Sequence, residues 1–311
     1  MKPAMMQMTE RRSRFPKWLT DWELYMLLLP GLAFFLIFKY APMFGIVMAF
    51  QDYSPFQGIT GSKWVGFKHF ADMFAYDGFW RLLRNTLLIS CYNIVFYFPA
   101  PIIVALMLNE IRREWFKKSV QTIIYLPHFI SWVVVGSITY FLLNPEEGLI
   151  NQLLTHSGMH SMPFLTDSNW FRTIIVSQSI WKEVGWGTII FLAALAGVDP
   201  QLYEAAVVDG AGRWRQLWHV TLPALRSTII VLLILRLGHV LDVGFEQIFL
   251  MLNELVYQVG DVFDTYVFRE GITGGRFSFG VAVGLFKSVV GLILVISANW
   301  LAKKAGEEGI Y

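Results

Sequence analysis

Long apolar blocks alternate along this chain with short segments that hold most of its charge. Leu24 to Phe50 contains one charged residue, Lys39. Thr86 to Leu108 and Ser119 to Leu143 contain none. Ile174 to Ala196 carries Lys182 and Glu183, Ser227 to Leu241 carries Arg236, and Phe277 to Leu301 carries Lys287. At ~1.5 Å of rise per residue, a helix of about 23 residues reaches roughly 35 Å, enough to cross a hydrocarbon core of about 30 Å. The pattern predicts six transmembrane helices, the fifth fading past Asp242. One such run is compatible with a buried soluble helix; six together are not. Pro30, Pro99, Pro101 and Pro127 fall inside the runs. Membrane helices tolerate such breaks where neighbours satisfy the freed backbone, so kinked helices around a cavity are expected.

Composition agrees. The chain is 55% hydrophobic and 15% charged, against about 25% charged in soluble domains, and its mean hydropathy is +0.50. The fold class expected is an all-α membrane protein. Residues 1–21 form a basic tail, and 22–311 a single transmembrane domain.

The distribution of Lys and Arg sets an orientation. With the N-terminus in the cytoplasm, the inner segments hold Lys2, Arg11, Arg12, Arg14, Lys17, Arg112, Arg113, Lys117, Lys118, Arg213, Arg215, Arg226, Lys303 and Lys304. The outer loops hold Lys63, Lys68, Arg269 and Arg276. This bias predicts a multi-pass protein with both termini inside. The net charge of +2 adds nothing to it, and no nucleic-acid partner is implied. Leu24 to Phe50 is too long for a signal-peptide core and is read as a retained anchor. The single cysteine, Cys91, lies within a span and reads as a packing residue.

One inner segment stands apart. Glu204 to Pro223 reads EAAVVDGAGRWRQLWHVTLP. Pro200 and the prospective N-cap Asp199 precede a short helix containing Glu204, Ala205, Ala206 and Asp209. The alanines let another surface approach, and Glu204 offers a carboxylate. Gly210 permits a turn with positive φ before Ala211. Arg213 to Val220 reads as a second short helix that Leu222-Pro223 ends, starting the next span, where Pro is tolerated in the first turn. Two helices joined by a glycine make a knob over 199–223 that can transmit a push. An ordinary helical loop is the alternative.

The segment fits E-A-A-x3-G-x9-I-x-L-P, with Val220 in place of the Ile. On that motif, and on Gly61 to Gly66, Asn85-Thr86-Leu87, Leu126 to Trp132, Asp264-Thr265-Tyr266 and Gly271, the chain resembles permeases of ATP-binding-cassette carbohydrate importers, in particular the LplB-like branch from Gram-positive bacteria. The resemblance covers nearly the whole length. It implies a type I importer permease with a MetI-like core in a bacterial cell membrane. It further implies a second homologous permease, a dimer of ATP-binding subunits gripping the E-A-A segment, and a lipid-anchored extracellular sugar-binding protein. Glu204, Ala205, Ala206 and Gly210 take the coupling roles by this resemblance. The chain contains no G-x4-G-K-[ST] loop, so ATP and Mg are expected on a partner and no cofactor on this chain.

Polar residues within spans tend to face a cavity or the bundle interior. Gln178 and Lys182, and Ser179 and Glu183, are four apart in the fourth run, near Trp181 and Trp186. His128 and Trp132 are one turn apart in the third. Arg236, His239, Asp242 and Glu246 form one stripe if the fifth run is a continuous helix. These residues either line a sugar pathway or form ion pairs that lock helices. On the first reading, Lys182 and Arg236 favour acidic saccharides. No spacing suits a metal site. An intramembrane hydrolase would use Ser90, Ser131, Ser179 or His239, but no G-x-S-x-G or H-E-x-x-H accompanies them. A secondary transporter explains the buried charges but not the coupling segment. A permease for amino acids or phosphate is the remaining alternative.

Overall fold

The computed structural model describes residues 22–307, 309 and 310. The basic tail, 1–21, lies outside the described residues. Among the described residues, five helices are long and apolar enough to cross a membrane: Trp22–Phe50, Phe79–Asn109, Ser168–Ala196, Arg213–Gly238 and Phe277–Lys304. They are called here the first, second, fourth, fifth and sixth spans. The run predicted as the third span is broken. Glu114–Phe129 and Trp132–Leu143 meet at a bend of 102°. Pro127 supplies no N–H to the last turn of the first half, which tightens to 3-10 geometry. Ile130 and Ser131 are then extended, and the Ser131 hydroxyl accepts from Val134 N to start the second half.

Other prolines leave their helices whole. Pro42, Pro99 and Pro223 each follow a π turn, at Leu36–Tyr40, Asn93–Tyr97 and Leu217–Thr221. In each, the residue before the proline bonds five residues back: Ala41 to Leu36, Phe98 to Asn93 and Leu222 to Leu217. The wider turn makes room for the ring, so the helix passes the proline unbroken.

The spans are held by three clusters of buried side chains. Ala105, Phe191, Leu195 and Leu225 join the second, fourth and fifth spans. Towards the other end, Met73, Phe79, Leu82, Phe263, Tyr266, Phe279 and Val283 form a second cluster. Ile89, Phe171, Ile175, Val243, Ile248, Val256 and Val262 form the third. The stretch between the fifth and sixth spans is therefore more than a solvated loop. Its helices Phe245–Met251 and Phe263–Tyr266 push apolar residues into the bundle. Phe263 is among the largest fully buried side chains there. At the ends of the bundle are a two-residue antiparallel ladder, pairing Gln51 with Trp64 and Asp52 with Lys63, and the helix Pro200–Val208.

The fifth and sixth spans cross backbone to backbone. A Cβ on Gly291 would lie 2.2 Å from the Gly238 carbonyl oxygen. Small residues allow this approach between membrane helices.

Candidate functional site: coupling helix and polar brace

Pro200–Val208 is fixed at both ends. The Asp199 carboxylate accepts from Gln201 N at 2.9 Å, and Pro200 occupies the first turn, where its missing N–H costs nothing. At the other end, Gly210 N donates to Val207 O at 3.0 Å and Ala211 N to Ala206 O at 2.8 Å. These two bonds form a Schellman cap, with Asp209 as the C-cap and Gly210 at φ +74°. Tyr203 Oη, 3.1 Å from Thr221 Oγ1, ties this helix to the fifth span. Gln216 Nε2 donates to Ala211 O at 2.8 Å.

The rest of this helix is open. Glu204, Ala205 and Asp209 are exposed, Ala206 is half-buried, and Glu204 has no ion-pair partner among the described residues. Leu202, Val207 and Val208 are exposed too, Val208 at 86%. The expected second short helix is corrected. Leu222 and Pro223 end nothing: they lie inside the continuous helix Arg213–Gly238, because the π turn Leu217–Thr221 accommodates the proline. The knob is thus one short helix plus the first turns of a span, with Trp214 and Trp218 exposed beside it.

The second group of residues braces the broken span. Gly185 admits the break, since a Cβ there would lie 2.3 Å from Ile124 O. Lys182 Nζ donates to the His128 carbonyl at 2.7 Å, meeting an acceptor freed where the helix ends. The same ammonium lies 3.1 Å from Glu183 Oε1 and 5.4 Å from the centre of the Trp132 ring. His128 Nδ1 donates to Glu183 Oε2 at 2.7 Å, and its ring stacks on Trp186 at 4.6 Å and 7°. One turn along, Gln178 Nε2 donates to Thr139 Oγ1 at 2.6 Å. Gln247 Nε2 donates to Ile175 O at 2.6 Å and to Gln178 Oε1 at 3.0 Å, while its own oxygen accepts from Ser179 at 3.0 Å.

The structure therefore gathers His128, Trp132, Gln178, Ser179, Lys182 and Glu183 on one side of the fourth span. Most of their polar atoms are spent on one another. His128 and Trp132 flank the break and are not one turn apart in a helix. The predicted stripe on the fifth span is corrected as well. The helix stops at Gly238, and the chain turns through His239 to Gly244 (φ +92°). His239 is exposed, its Nδ1 donating to Leu235 O at 3.1 Å. Arg236 lies 5.7 Å from the centre of the Tyr97 ring, and Asp242 is held elsewhere by Lys287.

Residues 97–307 match the family model described as binding-protein-dependent transport system inner membrane component. The chain is 57% identical to Protein LplB of Bacillus subtilis over 94% of its own length and 92% of that protein's. It is 56% identical to the polygalacturonan/rhamnogalacturonan transport system permease protein YteP of the same organism, over 93% and 90%. A chain of a bacterial alginate ABC transporter, solved with an alginate-pentasaccharide-bound periplasmic protein, superimposes with a TM-score of 0.86 at 43% identity, covering 94% of this chain and 98% of that one. The chain belongs to this family of inner-membrane permeases. Its helical bundle is the type I, MetI-like permease fold.

Two ion clusters of the permease went unread in the sequence. Lys287 bonds Asp264 and lies 2.5 Å from Asp242, joining the turn after the fifth span to the sixth. Burial raises the Asp264 carboxyl above its usual pKa, while Lys287 pulls it down by less. Asp261, fully buried, pairs with Arg269 at 3.0 Å and accepts from Thr265 Oγ1 at 2.8 Å. Lys287 was visible as the only charge in the last apolar run, but its acidic partners lie 45 and 23 positions before it, a separation that no helical spacing reveals.

Proposed function

We propose that this permease is one half of the translocation pathway of an ATP-driven oligosaccharide importer in a bacterial cell membrane. A second, homologous permease supplies the other half. A dimer of ATP-hydrolysing subunits, which bind the nucleotide and Mg, docks on Pro200–Val208. A lipid-anchored sugar-binding protein delivers cargo at the opposite end. Pro200–Val208 and both termini then lie in the cytoplasm, in keeping with the Lys and Arg bias. Sugar as the cargo class is supported by what the names of the relatives say they carry.

The observation that carries this reading is the coupling helix itself. Its ends are capped and tied down, yet Glu204 and the apolar side chains of Leu202, Val207 and Val208 are left outward, uncovered by any of the described residues. Beyond Gly210 the chain enters a helix that runs without interruption from Arg213 to Gly238. At ~1.5 Å per residue it is roughly 38 Å long. A push on the coupling helix is therefore delivered by a stiff rod to the Gly238–Gly291 crossing. Purification of the tagged chain from a native host should bring down a second permease and a nucleotide-binding subunit. In proteoliposomes the complex should take up oligosaccharide on ATP without an ion gradient. Uptake driven by a gradient alone would overturn the reading.

A further inference from the structure

A groove of about 660 Å³ runs between the second and fourth spans, near the end opposite the coupling helix. Tyr92, Phe96, Asn169, Arg172, Thr173 and Ser177 are among its lining residues. Asn169, Thr173 and Ser177 are four residues apart and exposed, a polar stripe along an apolar span. Such a stripe is costly against lipid and marks a surface turned towards water or solute. Tyr92 and Phe96 stand opposite, ring centres 6.2 Å apart, and offer aromatic faces.

Arg172 is the charge in this groove, and no carboxylate among the described residues pairs with it. Its Nη2 donates to Asn85 Oδ1 at 3.0 Å, and its buried Nε has no hydrogen-bond partner among the described residues. Asn85 is fully buried and fixed by its own bonds to Gln258 O at 3.1 Å and Asp261 O at 3.0 Å. Arg84 shares the Gln258 carbonyl at 3.5 Å, which brings a second cation close. Arg172 is thus held in place by a rigid amide while its charge is left uncompensated. A half-buried guanidinium with donors to spare suits a carboxylate. Lys182 and Arg236, the cations first expected to select acidic sugars, are occupied by His128, Glu183 and Tyr97.

We propose that this groove binds uronate units of an acidic oligosaccharide during import. Arg172 takes the sugar carboxylate, Tyr92 and Phe96 stack against the pyranose ring, and Asn169, Thr173 and Ser177 bond its hydroxyls. The proposal rests on the importer reading above; relatives are named for acidic polysaccharides, and what it adds is the groove and the residue that read that charge.

The test uses the whole importer with its binding protein in proteoliposomes. Uptake of trigalacturonate and of its methyl ester is measured for the wild type, Arg172→Gln and Arg172→Lys, each variant scored against wild type on the same substrate. Selection by the binding protein then cancels. A charge-assisted bond of about 1.5–3 kcal/mol corresponds to a loss of roughly tenfold or more. Arg172→Gln should show that loss on the acid, with a far smaller change on the ester, and Arg172→Lys should recover part of it. Equal losses on both substrates, or no loss on either, would overturn the proposal, the former being expected if the second permease covers the groove. Wild-type uptake of neutral oligosaccharides alone would overturn it and leave the importer reading standing. A wild-type complex that imports no oligosaccharide would remove both.

Discussion

Replacing Lys287 with Met keeps the length and apolar stem of the side chain and removes its charge. In the wild type the ammonium is only 10% exposed and lies between Asp264, at 23%, and Asp242, at 55%. Breaking a fully buried ion pair from one side costs about 3–5 kcal/mol, because the remaining charge is stranded. Asp242, the more exposed, can swing away and Asp264 only in part, so a loss of roughly 2–3 kcal/mol is expected here. The pH dependence has a definite sign. Burial already raises the Asp264 pKa, and Lys287 opposes that shift. Without the lysine the folded-state pKa rises further above the unfolded value. The folded form then binds protons more readily, so stability is lost as pH rises through the folded pKa and regained in acid. Thermal unfolding of the detergent-solubilised complex should show Lys287→Met destabilised more at pH 8 than at pH 5. The double variant Lys287→Met/Asp264→Asn should recover much of the loss at pH 8. A single variant as stable as wild type, or a double variant no better than the single, would refute the reasoning.

Gly210→Pro should abolish uptake while the protein still inserts, because φ +74° is closed to proline and the N–H bond to Val207 is lost; normal uptake would count against the capped coupling helix. Gly291→Val should lower the unfolding temperature of the complex by the equivalent of about 3 kcal/mol or more, since the new side chain meets backbone rather than a movable side chain. Gln247→Leu leaves the buried Gln178 carbonyl oxygen without its donor, while Ser179 keeps its bond to Ile175 O, and should cost about 1–3 kcal/mol by the same assay; a neutral result would remove the brace from the structural account of the broken span.

The apolar runs could be read in the sequence, five as single helices and one as a bent pair, because long uncharged runs have few other physical explanations. Asp199, Pro200 and Gly210 likewise announced a capped short helix through local chemistry alone. What failed was continuity. Pro127 predicts a kink but adjoins a full break, while Pro223 predicts the end of one helix and the start of the next but is passed by a π turn. The break depends on neighbours: Gly185 admits it and Lys182 supplies its missing bond. The stripe through Arg236, His239, Asp242 and Glu246 assumed a helix that ends at Gly238, where the sixth span crosses. Arg172 drew no notice because a charge near the end of an apolar run looks like a boundary residue. Only the lack of a carboxylate partner among the described residues, visible in three dimensions, sets it apart.

The most direct measurement places a cysteine at Val208 in a Cys91→Ser background and asks what it touches. With the whole importer in the membrane, a short thiol cross-linker should join position 208 to the nucleotide-hydrolysing subunit, and ATP should change the yield. Impermeant maleimide added outside intact cells should leave the position unlabelled. Labelling from outside, or cross-links only to chains that bind no nucleotide, would contradict a bundle driven from its cytoplasmic face through this helix.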